Sequence, residues 1–311
     1  MRGRRPWVAR ASGRRSYLPD SDLLLQKAGA GNYYLLHCRL ARVRVAAYTR
    51  PIAANYFNQP TSSPNMFDQP RRERMLNVPA AVVVLLAVLA LVQLVLMFAL
   101  SPEQTTEFLL LFAFIPARYD PGVLPDLAWP GGWAADIWTF VTYALIHANL
   151  SHLLFNAVWL LAFGSPVAQR FGSLRFMAFM ALTAGAGAAV HLATHFGELL
   201  PMVGASAAIS GAMAAATRFV FQRGGPLEFW RDRTEACRVP AAPLADSLRD
   251  ARVLAFLAVW FGINILFGVF SVGMPGVEQA IAWQAHIGGF LAGLLAFAAF
   301  DPVPKSAAVE R

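Results

Sequence analysis

Residues 202–211 read Met-Val-Gly-Ala-Ser-Ala-Ala-Ile-Ser-Gly, with Gly204 and Ser206 opening a long apolar run. Further on, residues 285–293 read Ala-His-Ile-Gly-Gly-Phe-Leu-Ala-Gly, with His286 inside another apolar run. Both runs are long enough to cross a bilayer, and a polar side chain in hydrocarbon is costly unless it serves a purpose. Taken alone, Ser206 reads as part of a packing stripe with Ser210 and Ala214, as is common where membrane helices touch. A serine hydroxyl becomes a nucleophile only beside a base. His286 is such a base, so the two runs together point to a hydrolytic pair working within the membrane.

The composition agrees with a membrane setting. The 311 residues are 57% hydrophobic and 14% charged, against about a quarter charged in soluble domains. The net charge of +8 is unevenly spread: fourteen of the 26 Lys and Arg precede residue 75. Most of the rest flank apolar runs, a pattern that orients helices in a bilayer and does not require nucleic acid. Residues 1–74 are rich in Arg and hold no run able to span. They read as a basic disordered arm, as a mis-assigned start at Met66 or Met75, or as a transit peptide. Cys38 and Cys237 support neither a disulfide framework nor a thiolate metal site.

Six runs of about 20 residues follow, at 79–100, 147–168, 174–195, 203–222, 252–272 and 280–300. The expected fold is an all-α polytopic membrane protein, with a spanning domain over 75–302 and a short tail over 303–311. Loop charges sort onto two sides. Arg170, Arg175, the Arg-rich segment 223–251, Lys305 and Arg311 fall on one side; 196–202 and 273–279 hold no base, and 101–146 holds Arg118 alone. Six crossings with this bias put both termini in the cytoplasm. Segment 101–146 contains a sub-spanning apolar stretch with Trp129, Trp133 and Trp138, which suggests a piece lying in the interface.

Absences narrow the chemistry. The last five runs contain no Asp or Glu, which argues against aspartyl proteolysis and proton relays. There is no His-Glu-x-x-His, so zinc proteolysis is unsupported. His147, His152, His191 and His195 lack the carboxylate or thiolate neighbours a metal site would want, and no metal or cofactor is expected. Without a buried carboxylate, Ser206 and His286 would work as a dyad. His152 and Asn156 are spaced i, i+4 on one helix face, and both side chain types can donate to an oxyanion or bond between helices. Gly289 and Gly293 permit close approach of the last helix to the small-residue face that carries Ser206.

These motifs, in this order, resemble those of the rhomboid family of intramembrane serine proteases. The resemblance covers roughly 135–300 and rests on His152-x-x-x-Asn156, Gly204-x-Ser206 and Ala-His286-x-x-Gly289-Phe290-x-x-Gly293. It implies a bundle of six transmembrane helices with a membrane-embedded first loop. It implies Ser206 as nucleophile, His286 as general base, and His152 and Asn156 with a backbone N–H as the oxyanion hole. It further implies transmembrane proteins as substrates and gating by the fifth helix, around Trp260 and Phe261, with the 273–279 loop. A bacterial inner membrane is the expected location, with a mitochondrial inner membrane as the alternative. A non-catalytic relative that binds and redirects membrane clients is the rival function; such relatives lack the serine or the histidine, which this chain has. Two positions depart from the family pattern: Ala207 stands where a glycine usually follows the serine, and Thr139 follows Trp138 where an arginine is usual.

Overall fold

The computed structural model describes residues 78–125, 128–227, 233–269 and 282–304. The basic arm 1–74 and the tail from 305 onward lie outside the described residues, as does the 273–279 loop. Among the described residues the chain is helical and has no strands, apart from one isolated antiparallel bridge between Phe114 and Met202.

Four helices are long and apolar enough to cross a membrane: α1 (Ala80–Phe98), α4 (Leu150–Phe171), α5 (Ser173–Thr194) and α8 (Trp283–Phe300). Between α1 and α4 lie α2 (Pro102–Phe112) and α3 (Gly132–Thr142). Two further helices, α6 (Ser206–Thr217) and α7 (Ala251–Val269), complete an all-α membrane bundle.

The fourth apolar run departs from its expected length. Hydropathy predicts a 20-residue span over 203–222, but α6 has 12 residues, about 18 Å at 1.5 Å per residue. That is too short for a hydrocarbon core of about 30 Å. Every residue from Ala207 to Thr217 is buried, so α6 meets protein where a spanning helix would meet lipid. A helix wrapped by other helices has no thickness to match, and irregular backbone at its ends is satisfied by its neighbours. Hydropathy does not distinguish these two kinds of burial.

Small residues set the packing around α6. Helix α8 packs on both α5 and α6. A methyl group added at Gly289 would strike the Ala207 carbonyl, and one at Gly293 would strike the Gly211 backbone. The face of α6 that receives α8 therefore runs through Ala207 and Gly211, one position round from the Ser206, Ser210, Ala214 stripe read from the sequence. Ser210 instead turns its hydroxyl back to the Ser206 carbonyl at 2.8 Å.

The first loop is a built element. Ser101 caps α2 in a reciprocal capping box with Gln104, and Pro102 occupies the first turn. Arg118 is buried and donates to the Leu110 and Pro130 carbonyls, pairs with Asp136 at 3.3 Å, and lies over the Trp129 ring. The Trp138 indole donates to the Leu111 carbonyl at 2.8 Å. Arg118 thus staples the loop from 20 positions upstream of Trp138, in a chain where Thr139 fills the place of the family's usual arginine; Thr139 itself bonds Tyr119.

Far from α6's first turn, Arg170 and Asp301 join α4 to the end of α8. The guanidinium makes two 2.8 Å bonds to the carboxylate, donates to the Cys237 and Val239 carbonyls, and lies 4.6 Å from the Phe219 ring centroid.

Candidate active site

The site is assembled at the first turn of α6. The segment leading into it is held by the first loop: Phe114 and Met202 exchange backbone hydrogen bonds at 3.1 and 2.8 Å, and Gly204 N–H donates to the Tyr143 carbonyl at 3.0 Å. Gly204 then turns with φ +122°, a conformation that a side chain rarely tolerates. A Cβ there would also lie 2.7 and 2.8 Å from Cε1 and Nε2 of His152. The glycine therefore does two things: it turns the chain into α6 and leaves room for an imidazole against the backbone two residues before Ser206.

Ser206 is the first residue of α6. The N–H groups of a helix's first turn have no intrahelical acceptor and carry partial positive charge. They are the kind of donors that suit an anion forming near the serine. His286 lies in the first turn of α8, and its Nε2 is 2.7 Å from Ser206 Oγ. The parallel seating of the Gly289–Gly293 face on α6, with Gly289 against Ala207 and Gly293 against Gly211, produces that contact, because it leaves no side chain to hold the two backbones apart. Ser206 and His152 are half-buried.

His152 is the third residue of α4. Asn149 caps that helix by accepting the His152 N–H at 2.9 Å, which fixes where the imidazole emerges. The ring lies against Gly204 and edge-on to His147, at 5.1 Å between centroids. Asn156, one turn further along, is buried and gives one amide hydrogen to the His152 carbonyl at 2.9 Å. An amide NH₂ carries two donors, so one remains available. The structure thus brings Ser206, His286, Gly204 and His152 together, and Asn156 is linked to them through His152.

Ala207, the departure beside the serine, points its methyl group towards Gly187 of α5, where a Cβ would come within 2.6 Å of it. The methyl is buried in a hollow that a glycine on the neighbouring helix provides.

Sequence reading missed one residue. Asn264 of α7 is buried, and its Oδ1 is 2.7 Å from His286 Nδ1. A lone amide in the middle of the apolar stretch 253–270 was the available signal, since a polar group at such depth asks for a partner. His191 and His195 stack on each other at 4.2 Å near the end of α5. Among the described residues, no three His, Cys, Asp or Glu are grouped so as to hold a metal ion.

Comparison with known proteins agrees with this architecture. The model of the rhomboid domain family matches residues 134–301, more than half of the chain. The chain belongs to the rhomboid family. It is similar to rhomboid protease GlpG of Enterobacter sp. (strain 638), 35% identical over 78 residues that make up 24% of this chain and 28% of that protein. It is also similar to rhomboid protease GlpG of Yersinia pestis (strain Pestoides F), 25% identical over 181 residues, 57% of this chain and 53% of the relative. The chain spans about half the length, or less, of these curated relatives. It is a multi-pass membrane protein.

Proposed function

We propose that this protein is an intramembrane serine endopeptidase that cleaves other membrane proteins in or near their transmembrane helices. The observation that carries the reading is the 2.7 Å contact between His286 Nε2 and Ser206 Oγ at the start of a buried helix. His286 accepts the serine proton as Oγ attacks the substrate carbonyl. The first-turn N–H groups of α6, the His152 ring and the free Asn156 amide hydrogen receive the negative charge that develops on the carbonyl oxygen. The C–N bond then breaks, and the leaving amine takes the proton from His286. Water, deprotonated by the same imidazole, hydrolyses the acyl-enzyme and frees Ser206.

Carbonyls of a helical substrate are committed to internal hydrogen bonds, so the scissile segment must unwind first. Substrates with a small residue at the cleaved bond and Gly or Pro beyond it suit this requirement. The protease domain spans 75–302 and no cofactor takes part. The loop charges favour both termini in the cytoplasm of a bacterium, with the chain in the inner membrane. The catalytic-relic reading gains nothing from the site, because serine and histidine are both present and in contact.

The test is cleavage of a tagged transmembrane substrate by the purified protein in detergent and in proteoliposomes, beside Ser206→Ala and His286→Ala. The parent cleaves at one defined bond and both variants are inert. Equal cleavage by Ser206→Ala removes the proposal.

A further inference from the structure

We propose that Asn264 is a positioning residue that fixes the tautomer and orientation of His286, so that the Ser206–His286 pair works as a three-residue relay with an uncharged third member. This role presupposes the serine protease reading above.

The hydrogen-bonding capacity of each group decides the assignment. Asn264 Nδ2 donates to the Trp260 carbonyl at 2.8 Å, one turn back on α7. A carbonyl can only accept, so this bond settles which end of the amide is nitrogen. Oδ1 is therefore the atom 2.7 Å from His286 Nδ1, and it too can only accept. Nδ1 must then carry the ring proton. In a neutral imidazole that leaves Nε2 with its lone pair free, 2.7 Å from Ser206 Oγ. A serine hydroxyl facing an unprotonated nitrogen donates to it, which is the starting arrangement for proton removal. The opposite tautomer would set two acceptors, Oδ1 and Nδ1, against each other at 2.7 Å.

Two contacts one turn apart hold the amide in register with the ring. Trp260 stacks on Phe290 with ring centroids 4.5 Å apart, and Asn264 meets His286, so residues 260 and 264 of α7 face 290 and 286 of α8. Asn264 is also buried, where a ring nitrogen without a partner would be costly. A carboxylate is not required here. An amide oxygen selects the tautomer and aims the ring, although it contributes no charge to steady an imidazolium.

The experiment compares Asn264→Leu and Asn264→Asp with the parent and with Ser206→Ala, measuring kcat and KM for a transmembrane substrate. Leucine keeps the volume and removes the acceptor. Aspartate keeps the acceptor towards Nδ1 and removes the donor to Trp260. The expected result is a kcat about 10- to 100-fold lower for Asn264→Leu with KM within about twofold, and a kcat within about fivefold of the parent for Asn264→Asp. Equal losses in the two variants would mean that the donor to Trp260 matters and the acceptor does not, which overturns the proposal. Parent-like kcat in Asn264→Leu, with Ser206→Ala inert, overturns it and leaves the dyad standing. Activity in Ser206→Ala sinks the serine protease reading itself and takes this inference with it. Should Asn264→Leu fail to fold, nitrogen spectra of isotope-labelled histidine in the parent decide the matter: a protonated Nδ1 on His286 is expected, and a protonated Nε2 in the neutral ring overturns the assignment.

Discussion

Gly187 lies on α5, away from the serine and histidine in sequence, yet a single methyl group there is expected to disable the proposed proteolysis. A Cβ on Gly187 would be 2.6 Å from the Ala207 methyl, 2.9 Å from the Ala285 carbonyl and 3.2 Å from the Tyr143 hydroxyl. Carbon atoms in contact sit about 3.5–4.0 Å apart, so the helices must part by about 1 Å to admit it. Ala207 follows Ser206 and Ala285 precedes His286, so the movement falls on both halves of the pair. A 2.7 Å hydrogen bond lengthened by about 1 Å is no longer a hydrogen bond. A misplacement of that size costs on the order of a hundredfold in rate, and overpacking costs about 1–3 kcal/mol in stability. Gly187→Ala should therefore lower kcat about a hundredfold and reduce Tm. Removing the opposing methyl with Ala207→Gly relieves the tightest of the three contacts and leaves the carbonyl, so the double variant should recover about tenfold of the lost rate. The assay is a double-mutant cycle on cleavage rate and thermal unfolding. Parent-like kcat and Tm in Gly187→Ala, or no recovery on adding Ala207→Gly, would refute the packing argument.

Three other substitutions test separate parts of the structure. Gly204→Ala places a side chain at φ +122° and against the His152 ring, so cleavage should fall more than about tenfold and thermal stability should drop with it. Arg118→Gln removes the donors to the Leu110 and Pro130 carbonyls and the pairing with Asp136, costing about 2 kcal/mol; amide exchange across α2 and α3 should quicken while α5 and α8 are unchanged. Arg170→Leu takes from the Asp301 carboxylate, 10% exposed, the guanidinium that hydrogen-bonds both its oxygens. Breaking a buried pair in this way costs about 3–5 kcal/mol, which should lower Tm by about 10 °C with KM for the substrate unaltered.

The helical membrane fold and the family were legible because they rest on signals that a sequence carries locally: runs of apolar residues of bilayer length, and three short motifs in fixed order. Ser206 and His286 stand out for the same reason, as polar residues in apolar surroundings next to glycines that allow close approach. Asn264 meets that description equally well, but its role depends on facing a residue of another helix, and nothing in the run 252–272 says which residue that is. The length of α6 escapes a hydropathy reading because lipid and protein interiors favour the same side chains. The fit between the Ala207 methyl and Gly187 is invisible for a related reason: each is ordinary in its own helix, and only their juxtaposition explains why an alanine is accommodated beside the serine. Arg118 reads as the lone base of its segment, whereas it satisfies the Leu110 and Pro130 carbonyls of the first loop.

The central claim is that Ser206 is a nucleophile activated by His286. The most direct measurement is covalent labelling of the folded protein in proteoliposomes with a fluorophosphonate, which reacts only with an activated serine, followed by mass spectrometry of the adduct. One phosphonylated residue is expected, Ser206, with loss of labelling in His286→Ala while the protein is still folded. A label on any other serine, or undiminished labelling of Ser206 without His286, would contradict it.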